Sequence, residues 1–245
     1  MSELQKKIFN AFQNPVILYI CVSILLVLNF LLRFLVFKRT TLFSFSDYSA
    51  YIDAISKLKE GEKIYLLNGN FLYAISYLGF FSEKISGNLN MFFIFNCLTG
   101  AATGLIIFIL SRKITGSPVP GVITLLLLTF YTEHIVFSSV FYTPVLMIFL
   151  VSLILLLLWY YITAAAVYQM ILSGLLAVVI FLLTFFFKPE LKYLPWFLIA
   201  GSVLIYLKGV PGSAKRIFFL AVLMAGFYFL FETAGLITRP RDNVI

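Results

Sequence analysis

Seven long apolar stretches, separated by short polar breaks, fill most of this chain and restrict it to folds that a lipid bilayer can hold. In hydrocarbon no water pairs with backbone N–H and C=O groups, so a crossing segment must satisfy them within the protein, as a helix does by itself. A crossing helix needs roughly 20 apolar residues, and runs such as Pro144–Ile162 supply that length. Charged residues are 11% of the chain and hydrophobic ones 62%. A soluble fold carries about 25% charged residues, so a water-facing surface cannot be built here. The expected fold class is all-α integral membrane: a polytopic bundle of about seven transmembrane helices, with residues 1–245 forming a single transmembrane domain. The expected spans are Pro15–Phe37, Asn90–Leu110, Val119–Phe141, Pro144–Ile162, Met170–Phe187, Tyr193–Leu207 and Ile217–Ile237. The sixth is short and crosses only with tilt, bilayer thinning or extension.

The net charge is +8. A basic residue near an anionic membrane surface is worth about 1 kcal/mol, so membrane lipid and phosphate-bearing ligands are expected partners. Nucleic acid is not, because the basic residues are scattered through loops rather than gathered on one face. Cys21 and Cys97 both lie inside apolar segments and have neither metal-ligand spacing nor the look of a disulfide framework. The first apolar stretch is too long for a signal-peptide core and lacks an A-x-A-like exit, so it is expected to remain as the first span.

Orientation follows from Lys and Arg near the span ends. With the N-terminus inside, Lys6, Lys7, Arg112, Lys113, Lys208, Lys215 and Arg216 are cytoplasmic, and Lys188, Lys192, Arg239 and Arg241 are outside. The first outer loop, residues 38–89, adds Lys38, Arg39, Lys57, Lys59, Lys63 and Lys84 on the outside and is discounted for its length. The expectation is a cytoplasmic N-terminus and an outer C-terminus.

That loop carries structure of its own. Ser46 and Asp47 read as a helix start. Tyr51, Ile52, Ile55 and Leu58 then recur at helical spacing, with Asp53, Lys57 and Lys59 on other faces and Gly61 as the stop. The pattern describes a short helix lying in the outer interface. A second apolar run, Phe71–Phe81, reads as another interfacial or re-entrant helix. Gly100 and Gly104 form a G-x-x-x-G pattern in the second span, which suits close helix packing.

The few polar residues left are the candidates for chemistry. A carboxylate at Asp47 can take a proton from an acceptor hydroxyl, or it can merely cap the helix that follows. Glu133 and His134 sit side by side in the outer half of the third span, where an ionisable group is costly and therefore a candidate for function. Both also fit a rim position near head groups. His134 is the only histidine, which excludes a multi-histidine metal site. Lys188-Pro189-Glu190 closes the fifth span at the same face, and Arg239 and Arg241 follow the seventh. Such cations can grip a phosphate or anchor the boundary by snorkelling. Glu232 in the last span has Arg33 in the first as a candidate partner. The chain has no G-x-S-x-G elbow, Walker loop, C-x-x-C or H-E-x-x-H.

Three segments, FSFSDYSAYIDAISKLKEGEKIY, NMFFIFNCLTGAATGLIIFILSRKITG and FFFKPELKYLPWFLIAG, resemble the GT-C superfamily of membrane glycosyltransferases. The likeness is greatest to the polyprenyl- or dolichyl-phosphate-mannose type and its bacterial relatives. Asp47, Tyr48, Ala54, Leu58, Gly61 and Tyr65 follow the order of that family's first-loop motif. The resemblance implies a sugar transferred from a polyprenyl-phosphate-sugar donor to an acceptor at the outer face of a bacterial cytoplasmic membrane; apart from it, no cofactor is expected, and no residue pattern supports a divalent metal. It makes Asp47 the catalytic base and Lys188 a contact to the lipid phosphate. Tyr48, Glu133, His134, Glu190, Arg239 and Arg241 complete the candidate substrate site. The chain departs from the family in two ways. Tyr142-Thr143-Pro144 stands where many relatives carry an acid, and only the N-terminal membrane module of those longer enzymes is matched. The alternative is a non-catalytic scaffold, lipid-handling or transport subunit built on the same module, working with protein partners in the membrane.

Overall fold

The computed structural model describes residues 12–39, 48–62, 67–68, 71–72, 74–187 and 189–233. Helices dominate: α1 (Pro15–Arg39), α2 (Tyr48–Lys59), α3 (Ala74–Ser86), α4 (Asn90–Thr115), α5 (Pro118–Thr129), α6 (Thr132–Val136), α7 (Pro144–Thr163), α8 (Val167–Phe185), α9 (Leu194–Leu207) and α10 (Pro211–Thr233). Short 3-10 turns cover Phe137–Ser139 and Pro189–Tyr193. Of these helices, α1, α4, α7, α8 and α10 are each long and apolar enough to cross a membrane. The expected third span is a broken one. Helices α5 and α6, with the turn after α6, meet at a 59° bend. The expected sixth is the shorter apolar stretch Leu191–Leu207. Among the described residues there are thus five such helices, or six counting the bent pair as one span.

The chain forms two compact units, Met1–Tyr48 with Phe81–Ser152, and Ser49–Phe80 with Leu153–Ile245. In the first unit α1, α4 and α5 pack together. Leu18, Val22 and Leu25 meet Phe108, Val122 and Leu125 in its core. Helix α4 stops where Gly116 turns left-handed, at φ +68°. Ser117 then caps α5 by accepting from the Val119 N–H, and Pro118 opens the helix where a missing donor costs nothing. Gly121 lets α5 come close to α4: a Cβ there would sit 2.9 Å from the Phe108 carbonyl oxygen. At the far end of α4, Phe92 packs edge-on against Phe141 with ring centroids 4.6 Å apart. The stretch from Pro118 to Phe141 therefore starts beside the end of α4 and finishes beside its beginning.

In the second unit Ile154, Tyr161, Phe181, Phe185, Leu220 and Met224 form the core between α7, α8 and α10. Arg216 of α10 donates to the carbonyls of Ile162 at 2.7 Å and Ala164 at 3.2 Å, closing the C-terminal end of α7 with a cation. That placement satisfies carbonyls the helix leaves open and suits its dipole. Helix α2 forms as its periodicity requires, with Tyr51, Ala54 and Ile55 buried and Asp53 and Lys57 exposed. Ile52 and Leu58 on the same helix are half-buried. Gly61 adopts φ +81°, its N–H bonds the Leu58 carbonyl, and the Glu62 N–H bonds that of Lys57. These two bonds make a Schellman stop.

The apolar run Phe71–Phe81 is not one helix. Phe71–Leu72 pairs antiparallel with Leu67–Asn68, and only from Ala74 does α3 begin. A Gly69-Asn70 pair between two short runs has the composition of a two-residue hairpin loop, which outweighs the helical reading of the first residues.

Candidate functional site

Arg33 is the focus of the first unit. It lies in the last third of α1 and is completely buried. A charged side chain inside a membrane segment is expensive, by about 2.5–3.5 kcal/mol at the centre on insertion scales, unless its donors are met. Here they are met by neutral acceptors. Nε donates to Asn29 Oδ1 at 2.7 Å, one turn earlier on the same helix. Nη1 donates to the His134 carbonyl and to Ser138 Oγ, each at 2.7 Å. Nη2 donates to His134 Nδ1 at 2.9 Å. A guanidinium cannot accept, so Nδ1 is the unprotonated nitrogen of that ring and the proton sits on Nε2. Asn29 in turn donates through Nδ2 to Thr129 Oγ1 at 3.3 Å, at the end of α5.

These bonds flank the break in the third span. Neither proline nor glycine occurs between Thr129 and Thr132. Tyr131 is extended, at φ −71° and ψ 99°, and the Thr129 hydroxyl bonds back to the Leu125 carbonyl at 2.8 Å, a contact that bends helices. Backbone freed at the bend must find partners inside the protein. Arg33 bonds the His134 carbonyl and the Ser138 hydroxyl beyond the bend, and Asn29 bonds the Thr129 hydroxyl before it. Gly100 makes room: a Cβ there would lie 2.6 Å from Arg33 Cζ. Gly104 likewise admits the Leu125 side chain, at 2.8 Å from the added Cβ. The G-x-x-x-G pattern is therefore intramolecular packing, one glycine for each partner helix.

Asp47, Lys188, Arg239 and Arg241 lie outside the described residues. Tyr48 is the first residue of α2, and Glu190 falls in the 3-10 turn Pro189–Tyr193. Glu133 and His134, neighbours in sequence, part company. Glu133 is exposed and accepts a 2.6 Å hydrogen bond from the Tyr131 hydroxyl. His134 is turned inward onto Arg33 and buried. The four Arg33 bonds go to Asn29, His134 and Ser138, and none is to Glu232. Sequence reading passed over Asn29, Ser138 and Tyr131. A signal existed for Asn29: it and Arg33 stand four apart, on one face of an otherwise apolar span. Among the described residues no group of three or more His, Cys, Asp or Glu is placed to hold a metal ion. Compared with known proteins, the chain matches no family model, no curated protein and no solved structure.

Proposed function

We propose that the chain is a GT-C-like membrane glycosyltransferase that moves a sugar from a polyprenyl-phosphate-linked donor to an acceptor hydroxyl at the extracytoplasmic face. The observation that carries this reading is α2. Of the motif, Tyr48, Ala54, Leu58 and Gly61 fall on a single helix that begins at Tyr48, buries Ala54, half-buries Leu58 and stops at Gly61, while Asp47 and Tyr65 lie outside the described residues. In the reaction the acceptor oxygen attacks the anomeric carbon, the bond from that carbon to the phosphate oxygen breaks, and the phosphate leaves with the electron pair. Asp47 takes the hydroxyl proton, and Lys188, with Arg239 and Arg241, offsets the charge developing on the phosphate. Glu133, exposed and held by Tyr131, offers acceptor oxygens to sugar hydroxyls.

The reading includes seven crossings. The bent α5–α6 pair counts as one, since it starts beside the end of α4 and Phe141 finishes against Phe92 near its start. Leu191–Leu207 counts as another; at 1.5 Å per residue it is about 25 Å long and crosses with local thinning.

The test is Asp47→Asn in the purified protein. Asn caps a helix about as well as Asp, so the variant keeps its thermal stability and loses donor turnover. An Asn variant with full transferase activity would remove Asp47 from the mechanism. A non-catalytic membrane component is the second reading, favoured by the buried Arg33 cluster, three of whose four bonds tie α1 to α6 and the 3-10 turn after it. Wild-type protein that turns over no polyprenyl-phosphate sugar, and whose loss leaves lipid-linked sugars unchanged in the cell, selects that reading.

A further inference from the structure

We propose that the groove between α9 and α10 holds one anionic phospholipid, with an acyl chain between the helices and its phosphate at Lys215. Ser202, Val203 and Tyr206 of α9 and Ala214, Lys215 and Phe218 of α10 line a single cavity of about 220 Å³. Two small buried residues, Ser202 and Ala214, leave its floor low, and the exposed Val203, Tyr206 and Phe218 stand as its walls. The Ser202 hydroxyl donates to the Ile199 carbonyl at 2.7 Å, so it asks nothing of an occupant. The neighbouring Leu204 and Phe219 are exposed as well, so the groove opens toward the lipid-facing surface. It is smaller than the roughly 300–1,000 Å³ of a small-molecule pocket, and its apolar walls suit a length of one hydrocarbon chain.

Charge decides which lipid. Lys215 lines the cavity, about 6 Å along α10 from its first residue at 1.5 Å per residue. A lysine at a boundary lays its stem on apolar surface and carries its ammonium to the head groups. The same end of the unit has Lys208 at the close of α9 and Arg216 bonded to the Ile162 and Ala164 carbonyls at the end of α7. No Asp or Glu occurs at residues 134–189 or 191–231. The end of α7, the start of α8, the end of α9 and the start of α10 therefore hold three cations and no acid. A zwitterionic lipid would bring its own ammonium group into this cluster. A headgroup of the phosphatidylglycerol type has a net negative charge, which each basic residue near the surface attracts. The inference stands under either functional reading above, since it uses neither α2 nor Asp47.

The experiment is native mass spectrometry of the purified full chain in detergent, with dioleoyl-phosphatidylglycerol or dioleoyl-phosphatidylcholine added. Wild type should retain one phosphatidylglycerol and need several-fold more phosphatidylcholine for the same occupancy. Lys215→Gln keeps most of the stem and removes the charge. It should raise the phosphatidylglycerol concentration for half-occupancy about fivefold, the weight of one basic residue near an anionic group. Arg112→Gln removes an exposed cation from the last turn of α4 and leaves the groove intact, so half-occupancy should not move. Phosphatidylglycerol with a diazirine in its acyl chain should cross-link to Val203 or Phe218 in wild type, which tests the site without any variant. Equal retention of the two lipids, an unchanged half-occupancy in Lys215→Gln, an equal loss in Arg112→Gln, or cross-links away from α9 and α10 overturns the proposal. A dimer that takes up no lipid overturns it too, because a second copy of the chain then covers the groove.

Discussion

At the scale of single residues, Arg33 shows how a costly side chain is turned to use. Its charge is carried into the span to reach a backbone carbonyl, a hydroxyl and an imidazole on one short segment. A hydrogen bond to a charged group is worth about 1.5–3 kcal/mol, and stranding a buried acceptor costs a similar amount. Arg33→Met should therefore lower stability by about 3 kcal/mol or more, seen as a reduced melting temperature in detergent. Arg33→Lys should fall between, because a point charge cannot reach both sides of the bend. A Met variant at or above the wild-type midpoint would show that the guanidinium is a burden rather than a pin. The glycines make a second contrast. Gly61 has open space around it and φ +81°, so Gly61→Ala should cost only the left-handed strain, about 1–2 kcal/mol. Gly100→Ala would put a methyl into the guanidinium at 2.6 Å. That guanidinium is fixed by its bonds, so relief means breaking one or two of them, about 2–5 kcal/mol. Urea or thermal unfolding of the two variants side by side should rank Gly100→Ala as the more damaged, and the reverse order would contradict the packing described.

At the scale of elements, the parts legible in the sequence were those with a long, unopposed pattern. The apolar runs of α1, α4, α7 and α8 appear within a few residues of where hydropathy places them, and α2 has its periodicity and its glycine stop. Two elements were not legible, for different reasons. The third span carries no proline or glycine at its break, and the polar partners that flank the bend, Arg33 and Asn29, come from another helix. The strand pair of Leu67–Asn68 with Phe71–Leu72 was missed because the apolar run from Phe71 onward serves a strand or a helix equally well, and the Asn-Gly-Asn turn signal before it was passed over. The candidate site divides the same way. His134 and Glu133 stood out as ionisable groups in an apolar run, yet one turns inward and the other outward only because α6 starts between them and the bend. If Asn29 holds the near side of the break, Asn29→Leu should loosen the bend without unfolding the unit. Amide exchange at Phe130–Thr132 should then rise while α4 keeps its protection; unchanged exchange at the break would show that local backbone preference alone sets the bend.

At the scale of the whole molecule, apolar side chains remain on the outside in numbers that water would not tolerate. Ile24 and Val27 of α1 are 60% and 58% exposed and Leu172 and Leu175 of α8 are 57% and 56% exposed, so the surface they form is a lipid-facing one. The polar ends of the helices then decide what the protein can do, because the proposed transfer requires α2 and Asp47 on the outer side and the α9–α10 turn on the inner. Both positions are open to one measurement: membrane-impermeant thiol labelling of intact cells, with Cys21 and Cys97 replaced by alanine and a single cysteine placed at Ser49 or at Ser213. The expected result is labelling at Ser49 from outside and at Ser213 only after the membrane is opened. Labelling of both positions from the same side would contradict the seven-crossing topology and, with it, a transferase site at the outer face.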